Sequence, residues 1–286
     1  MKKGFLIGVI LASLAALVAW LVKSRLGQTD AANLQAALKS TRKVLIVGAA
    51  SAIAQETARL FAAAGSEIFL AGRNEAKLQA VANDLAVRGA RKVDFMVLDL
   101  NDFAQHQALI DRATASLAGL DTVLLAHGTL GNQAESQKSF AVTEQELKTN
   151  FLSYVSLLTI LANQFEAQQY GTMVVISSVA GDRGRQSNYV YGTAKAGVSA
   201  FSQGLRGRLS RSNVAVITIK PGFVDTPMTA QVKKGPLFVG PEVIAKGIYR
   251  ALRQQRQEVV YLPWFWWGIM TVIKLIPERI FKKLAL

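Results

Sequence analysis

Cysteine is absent from the 286-residue chain, which excludes a disulfide framework, a thiolate zinc site and a cysteine nucleophile together. Histidine is nearly as scarce: His106 and His127 cannot by themselves build a multi-histidine cage, so no metal is expected. Acidic residues are few, 19 against 33 Lys and Arg, giving a net charge of +14. The middle of the chain lacks a Lys/Arg stripe interleaved with aromatics, so nucleic acid is not an expected partner. Internal repeats and low-complexity tracts are missing as well. A hydrophobic fraction of 51% excludes a disordered chain and is high for a plainly soluble enzyme. The length fits one large domain or two small ones, enough to bury a full α/β core.

The positive charge sits where the chain is most apolar. Residues 1–26 hold four basic and no acidic side chains, and residues 261–286 hold four basic and one acidic. Residues 4–22 contain a single polar side chain, Ser13. At about 1.5 Å per residue this run spans roughly 28 Å, close to a bilayer core. Lys2 and Lys3 flank one end, and Trp20, Lys23 and Arg25 mark the other as an interfacial anchor. A cleaved signal peptide is the rival reading, but the run is long for one and no small-x-small site precedes Lys23. Residues 1–26 are therefore expected to be a single-pass membrane anchor. The positive charges after it (Lys23, Arg25, Lys39, Arg42, Lys43) predict that the bulk of the chain faces the cytoplasm. Residues 27–41 read as a linker.

Over residues 42–262 apolar β-type runs alternate with helix-length segments. Strands are expected at 43–47, 68–71, 93–98, 122–126, 173–177, 214–219 and 259–262. Helices are expected at 52–64, 75–88, 103–117, 144–168, 189–209 and 241–254. Continuous apolar strands separated by helices predict an α/β domain, a doubly wound parallel sheet of about seven strands with both faces covered.

The first strand runs into Gly48-Ala49-Ala50-Ser51-Ala52-Ile53-Ala54 and then a helix. A turn of small residues there lets backbone approach a pyrophosphate at the helix N-terminus, although small residues also serve close helix–strand packing. The second strand ends at Gly72-Arg73, where an NAD-binding Rossmann protein would carry an acid for the adenosine ribose. Glycine followed by arginine favours a 2′-phosphate, hence NADP(H) over NAD(H), unless Arg73 is merely solvated. Asp99, ending the third strand, suits hydrogen bonding around an adenine or capping the next helix, with Asn101 and Asp102 as competing caps.

Further along, Tyr191 and Lys195 stand four residues apart on a predicted helix, hence on one face, with Ser178 thirteen residues upstream at the end of the fifth strand. A tyrosine is a poor acid or base near neutral pH until a cation stabilises its phenolate, and Lys195 can do that while holding a nicotinamide ribose.

On these residues, residues 42–262 resemble the short-chain dehydrogenase/reductase family. The resemblance implies a Rossmann-like fold and hydride exchange between a nicotinamide cofactor and a C=O/CH–OH pair. It implies that Ser178 hydrogen-bonds the carbonyl oxygen, Tyr191 protonates it, Lys195 lowers the phenol pKa and Asn150 orders a proton-relay water. It also makes Pro221-Gly222-Phe223-Val224-Asp225-Thr226 the nicotinamide-facing loop, with Pro221, Gly222, Val224 and Thr226 as contacts. Two departures stand out: Ala52 and Ala54 replace glycines in the turn, and Leu125-Ala126-His127-Gly128 replaces the family's Asn-Asn-Ala-Gly. His127 reads as a local hydrogen-bonding substitute rather than a base, and His106 as a surface residue.

Within the family, the basic stretch 177–192 and the apolar, basic tail resemble the decaprenylphosphoryl-2-keto-pentose reductase type. Arg183 and Arg185 would then suit a phosphate-bearing substrate. The expected function is a membrane-anchored NADP(H)-dependent oxidoreductase acting on a lipophilic or lipid-linked carbonyl, such as a polyprenylphosphoryl keto-sugar. A membrane-dissolved ketone (3-ketosphingoid, steroid or fatty-acyl) is the alternative substrate, and a non-catalytic NADP(H) sensor the alternative class. Residues 263–286 are expected to lie on membrane lipid through a stripe of Trp266, Ile269, Met270, Ile273, Ile276, Ile280 and Leu284, or else to pack on the core or in a homo-oligomer.

Overall fold

The computed structural model describes residues 41–254 and 258–284, so the expected anchor and nearly all of the linker lie outside the described residues. The order is β1 (Lys43–Val47), α1 (Ala52–Ala63), β2 (Glu67–Gly72), α2 (Glu75–Val87), β3 (Lys92–Val97), α3 (His106–Ser116) and β4 (Thr122–Leu125). There follow α4 (Gln133–Ser136), α5 (Phe140–Leu147), α6 (Ser153–Gln168), β5 (Gly171–Ile176), α7 (Tyr189–Leu209), β6 (Val214–Pro221), α8 (Pro241–Gln254) and β7 (Val259–Leu262). The chain ends in α9 (Phe265–Leu275) and α10 (Glu278–Phe281).

The seven strands form one sheet in the order β3-β2-β1-β4-β5-β6-β7, with every neighbour parallel. Strands such as Val44–Val47 are fully buried because helices cover both faces, which is why they read as unbroken apolar runs. On one face α1 packs against α8, with Phe61 edge-on to Tyr249 at 5.5 Å. On the other, α3, α6 and α7 bury a core that includes Leu45, Phe69, Val123, Leu161 and Phe165. Each such side chain contributes about 1.5–3 kcal/mol. The chain leaves β1 toward β2 and β3, then returns to the other side of β1 as β4. That reversal opens a crevice at the carboxyl ends of β1 and β4, where ligands of such sheets bind.

Two features of the layers depart from expectation. The predicted helix 144–168 is two helices joined by a π-turn over Lys148–Leu152, which carries Asn150. His106 is buried, not on the surface: Nδ1 meets Ser156 Oγ at 2.9 Å and Nε2 meets the Leu100 carbonyl at 3.1 Å.

Over α9 the stripe of the tail takes the alternative of packing on the core, with Trp266 and Met270 buried and Ile269, Ile273 and Ile276 half-buried, while Ile280 beyond it stays exposed. Trp266 lies against Gly222, where a Cβ would come within 1.8 Å of its Nε1, and edge-on to Phe223 at 5.3 Å. The outer face of α9 keeps Trp267, Val272 and Leu275 exposed, with Trp264 just before it. Among the described residues no helix is long and apolar enough to cross a membrane.

Candidate active site

A cavity of about 1210 Å³ occupies the crevice at the carboxyl edge of the sheet. It is lined by Gly48, Ser51, Ala52 and Ile53 at one end of α1, by Arg73 and Asp99 after β2 and β3, by Pro221 at the end of β6, and by Gly222, Val224 and Thr226 after it. Asn150, Ser178, Tyr191 and Lys195 line the same cavity, so the catalytic and cofactor-contact candidates read from the sequence face one space.

Ser178 follows β5 and starts a 3-10 turn, its Oγ accepting from the Ala180 N–H at 3.1 Å. That turn is held by Asp182, which pairs with Lys220 of β6 and accepts from the Tyr261 hydroxyl of β7 at 2.6 Å. The Ser178 side chain also acts on the Tyr191 phenol, favouring its ionised form. Burial pushes that phenol up to about 12, against the opposing influence of Ser178 and the Arg185 cation, while the Glu146 carboxylate adds to the rise. One turn on, Lys195 is only 3% exposed, and burial lowers its ammonium to about 7. Its Nζ donates to the Ile176 carbonyl at 3.1 Å and lies 5.9 Å from the Tyr191 ring centroid.

Asn150 is fully buried by the π-turn. Its Oδ1 accepts from the Thr129 N–H at 3.0 Å, and its Nδ2 donates to Thr129 Oγ1 at 3.1 Å and Glu146 Oε2 at 3.0 Å. A Cβ built on Gly128 would stand 2.5 Å from Asn150 Oδ1 and 3.7 Å from Lys195 Nζ, so both groups border the same small space. Glu146 and Thr129 escaped the sequence reading. The i, i+4 spacing of Glu146 and Asn150 was the available signal, hidden because the π-turn shifts the helical phase.

The cavity suits a dinucleotide. First-turn N–H groups of a helix have no intrahelical partner, and the Ala52–Ile53 end of α1 opens on this space. Gly48 has φ +79°, and a Cβ there would meet the His127 backbone at 2.6 Å, so the turn requires glycine on packing grounds alone. Ala54 is buried behind the turn, and its Cβ takes nothing from the cavity. At the adenosine end Arg73 is exposed and unencumbered by any ion pair among the described residues, and Lys77 lines the cavity beside it. Asp99 faces the cavity and also caps its own turn, Oδ1 accepting from the Asn101 N–H at 2.9 Å.

His127 does act locally. Its Nε2 lies 2.6 Å from Ser153 Oγ, its ring stacks on Tyr154 at 4.1 Å, and burial holds its pKa well below the usual imidazole value. The two loop arginines part company. Arg183 points away from the cavity, donating to the carbonyls of Ile273 and Ile276, pairing with Glu278 and lying 3.7 Å over the Phe281 ring. It ties the loop to the tail and is not free to hold a substrate phosphate, contrary to expectation. Arg185 lines the cavity.

Residues 42–236 match the short chain dehydrogenase family. The chain is 37% identical over 241 residues to an uncharacterized oxidoreductase of Mycobacterium tuberculosis, covering 84% of this chain and 96% of that one. An uncharacterized oxidoreductase of Streptomyces coelicolor is 32% identical over 245 residues, 85% of this chain and 96% of the relative. The fold superposes on a short-chain type dehydrogenase/reductase from Mycobacterium ulcerans with a TM-score of 0.68 and 22% identity, over 76% of this chain and 86% of that one.

Proposed function

The chain belongs to the short-chain dehydrogenase/reductase family of NAD(P)(H)-using oxidoreductases, and on that premise we propose that it reduces a carbonyl, or oxidises the matching alcohol, on a lipophilic or lipid-linked substrate, with NADP(H) preferred. The observation that carries this reading is the convergence of Ser178, Tyr191 and Lys195 on the cavity that Arg73 and the N-terminus of α1 also line. When bound, the nicotinamide cofactor supplies or accepts the hydride.

The chain's own residues manage the proton and the charge. Ser178 Oγ donates to the substrate oxygen as negative charge develops there. Tyr191, kept protonated by burial, is the proton donor in reduction. The Lys195 ammonium favours the phenolate left behind and holds the nicotinamide ribose. Asn150, fixed by Thr129 and Glu146, borders the space beside Lys195 where a relay water would sit. Tyr191→Phe removes only the transferable proton. It should keep NADPH binding and lose turnover by about a hundred- to ten-thousandfold. Near-native turnover would refute this assignment.

The substrate is read as lipophilic from the apolar, basic ends of the chain, with the anchor holding the catalytic domain on the cytoplasmic side of a membrane. The exposed Trp264, Trp267, Val272 and Leu275, beside Lys274, support contact with anionic lipid, and a second copy of the chain is the competing cover for that face. A polyprenylphosphoryl keto-sugar is the narrower candidate, on the resemblance of stretch 177–192 and the tail, and a membrane-dissolved ketone is its rival. A lipid-extract screen that follows NADPH oxidation separates them.

A further inference from the structure

Arg185 is the cation in the cavity that the mechanism above does not use. It sits in the loop between Ser178 and α7, three residues before Asn188 and six before Tyr191. Its Nε is buried without a hydrogen-bond partner, and it pairs with no carboxylate among the described residues. The ionisable group coupled to it electrostatically is the Tyr191 phenol, which is neutral over the working pH range. Glu146 lines the same cavity, but its oxygens accept from Thr129 and Asn150.

Three further residues lining the cavity carry a buried polar atom without a partner, His127 at Nδ1, Gln133 at Nε2 and Asn188 at Oδ1, and the last two belong with Arg185. Gln133 Oε1 accepts from the Val190 N–H at 3.1 Å, which fixes the side chain and leaves its amide N–H groups unspent. The Asn188 N–H in turn donates to the Arg185 carbonyl at 3.1 Å, so Arg185 and Asn188 share one turn, and Gln133 is tied to the same stretch through Val190. Buried polar atoms are normally paired, and a half-buried guanidinium whose Nε meets neither water nor an anion is unfavourable. Three such atoms borne on or tied to residues 185–190, the stretch that leads to the proton donor, describe a receptor rather than a packing defect.

We infer that Arg185, with Gln133 and Asn188, forms an oxyanion-binding subsite, so that the substrate processed at Tyr191 carries a phosphate or carboxylate near its reacting carbon. This rests on the oxidoreductase reading of the same cavity and narrows its substrate class. Arg185 and Gln133 supply the donors; Asn188 Oδ1 accepts from a hydroxyl next to the anion. Burial also lowers the guanidinium's affinity for its own proton, a disadvantage that a bound anion reverses.

The test is calorimetric titration of the full chain, its nucleotide site saturated with NADP⁺, with hexyl phosphate, hexanoate and hexanol. One or both anions should bind at least about tenfold more tightly than the alcohol, a difference of about 1.4 kcal/mol. Which anion wins identifies the group. Arg185→Gln should bring the ratio to within about threefold, whereas Arg183→Gln should retain it. Arg185→Gln should also melt no lower than wild type without ligand, since no partner is lost; a clear drop would mark a structural role. Equal binding of anion and alcohol to wild type overturns the inference, as does a ratio that survives Arg185→Gln. So does anion binding that disappears on NADP⁺ saturation, which would assign Arg185 to the nucleotide. Anion selectivity without turnover of any ketone would instead sink the catalytic reading alone.

Discussion

The ammonium of Lys195 lies over the ring of Tyr154, 4.6 Å from its centroid, closer than to the ring of Tyr191. Tyr154 is fully buried, its hydroxyl donates to the His127 carbonyl, and its oxygen stands 3.5 Å from Lys195 Nζ. Burial holds the Tyr154 phenol well above its ordinary pKa, so it stays neutral and faces the cation with ring and lone pairs. Residue 154 is thus a positioning residue, stabilising an ammonium that burial otherwise disfavours.

The basic limb of the kcat/KM profile should report this contact, because activity is lost as Lys195 deprotonates near 7 in the free enzyme. Tyr154→Leu should move that limb to lower pH by about 0.4–1.5 units, the pKa equivalent of a cation–π contact. Tyr154→Phe keeps the ring and should move it less. Superimposable profiles for wild type and Tyr154→Leu would show that the contact has no part in tuning the lysine.

The same buried lysine makes stability depend on pH. Lys195 titrates near 7 when folded and near 10.5 when unfolded, so between those values the unfolded chain binds more protons. Stability therefore rises with pH across that window, and the lysine costs most below about pH 7. Without nucleotide, Lys195→Met should melt higher than wild type at pH 6, with the gap closing toward pH 10. A gap that stays constant with pH, or a wild type that is the more stable at pH 6, contradicts the linkage.

Cofactor choice tests the adenosine end. Gly72 leaves no carboxylate to repel a 2′-phosphate, and Arg73 and Lys77 both line that part of the cavity. NADPH should bind at least about tenfold tighter than NADH, or about 1.4 kcal/mol. Arg73→Ala should remove most of that preference while sparing NADH, leaving a remainder to Lys77. Wild-type preference for NADH in a fluorescence titration would reverse the reading of β2.

Much of this was legible in the chain, for a physical reason. Strands buried on both faces are continuous apolar runs, so β1, β4 and β7 begin where the runs begin, and the helix carrying Tyr191 and Lys195 keeps its predicted bounds. What stayed hidden depends on partners distant in sequence. His106 sits on a polar helix, yet Ser156, fifty residues on, satisfies its ring and draws it inside. Arg183 and Arg185 are alike in sequence; only the arrival of Ile273, Ile276 and Glu278 decides that the first is spent. The π-turn at Asn150 defeats a 3.6-residue period by construction. In the tail the apolar stripe was found but its destination was not, because an amphipathic face looks the same whether lipid or Gly222 and Phe223 cover it.

Trp266 and Trp267 put that last distinction to the test, being adjacent and opposite in environment. Trp266 is 3% exposed and closes over the loop that bears Gly222 and Phe223, whereas Trp267 is 63% exposed. Trp266→Ala empties a core position and should cost about 3–5 kcal/mol, loosening nucleotide binding as the loop loses its support. Trp267→Ala should alter unfolding by no more than about 0.5 kcal/mol. If the outer face of α9 meets anionic lipid, a chain lacking residues 1–26 should still sediment with phosphatidylglycerol vesicles at low salt. Replacing Trp264 and Trp267 by Ser should weaken this through lost insertion. Replacing Lys274, Lys282 and Lys283 by Gln should weaken it by about 1 kcal/mol each and flatten its salt dependence. Failure of this shortened chain to bind at low salt, together with a concentration-dependent dimer that Trp267→Ser dissolves, would give the face to a second copy of the chain. The cavity would then have no reason to open toward a bilayer, and the case for a lipid-borne substrate would rest on the amino-terminal segment alone.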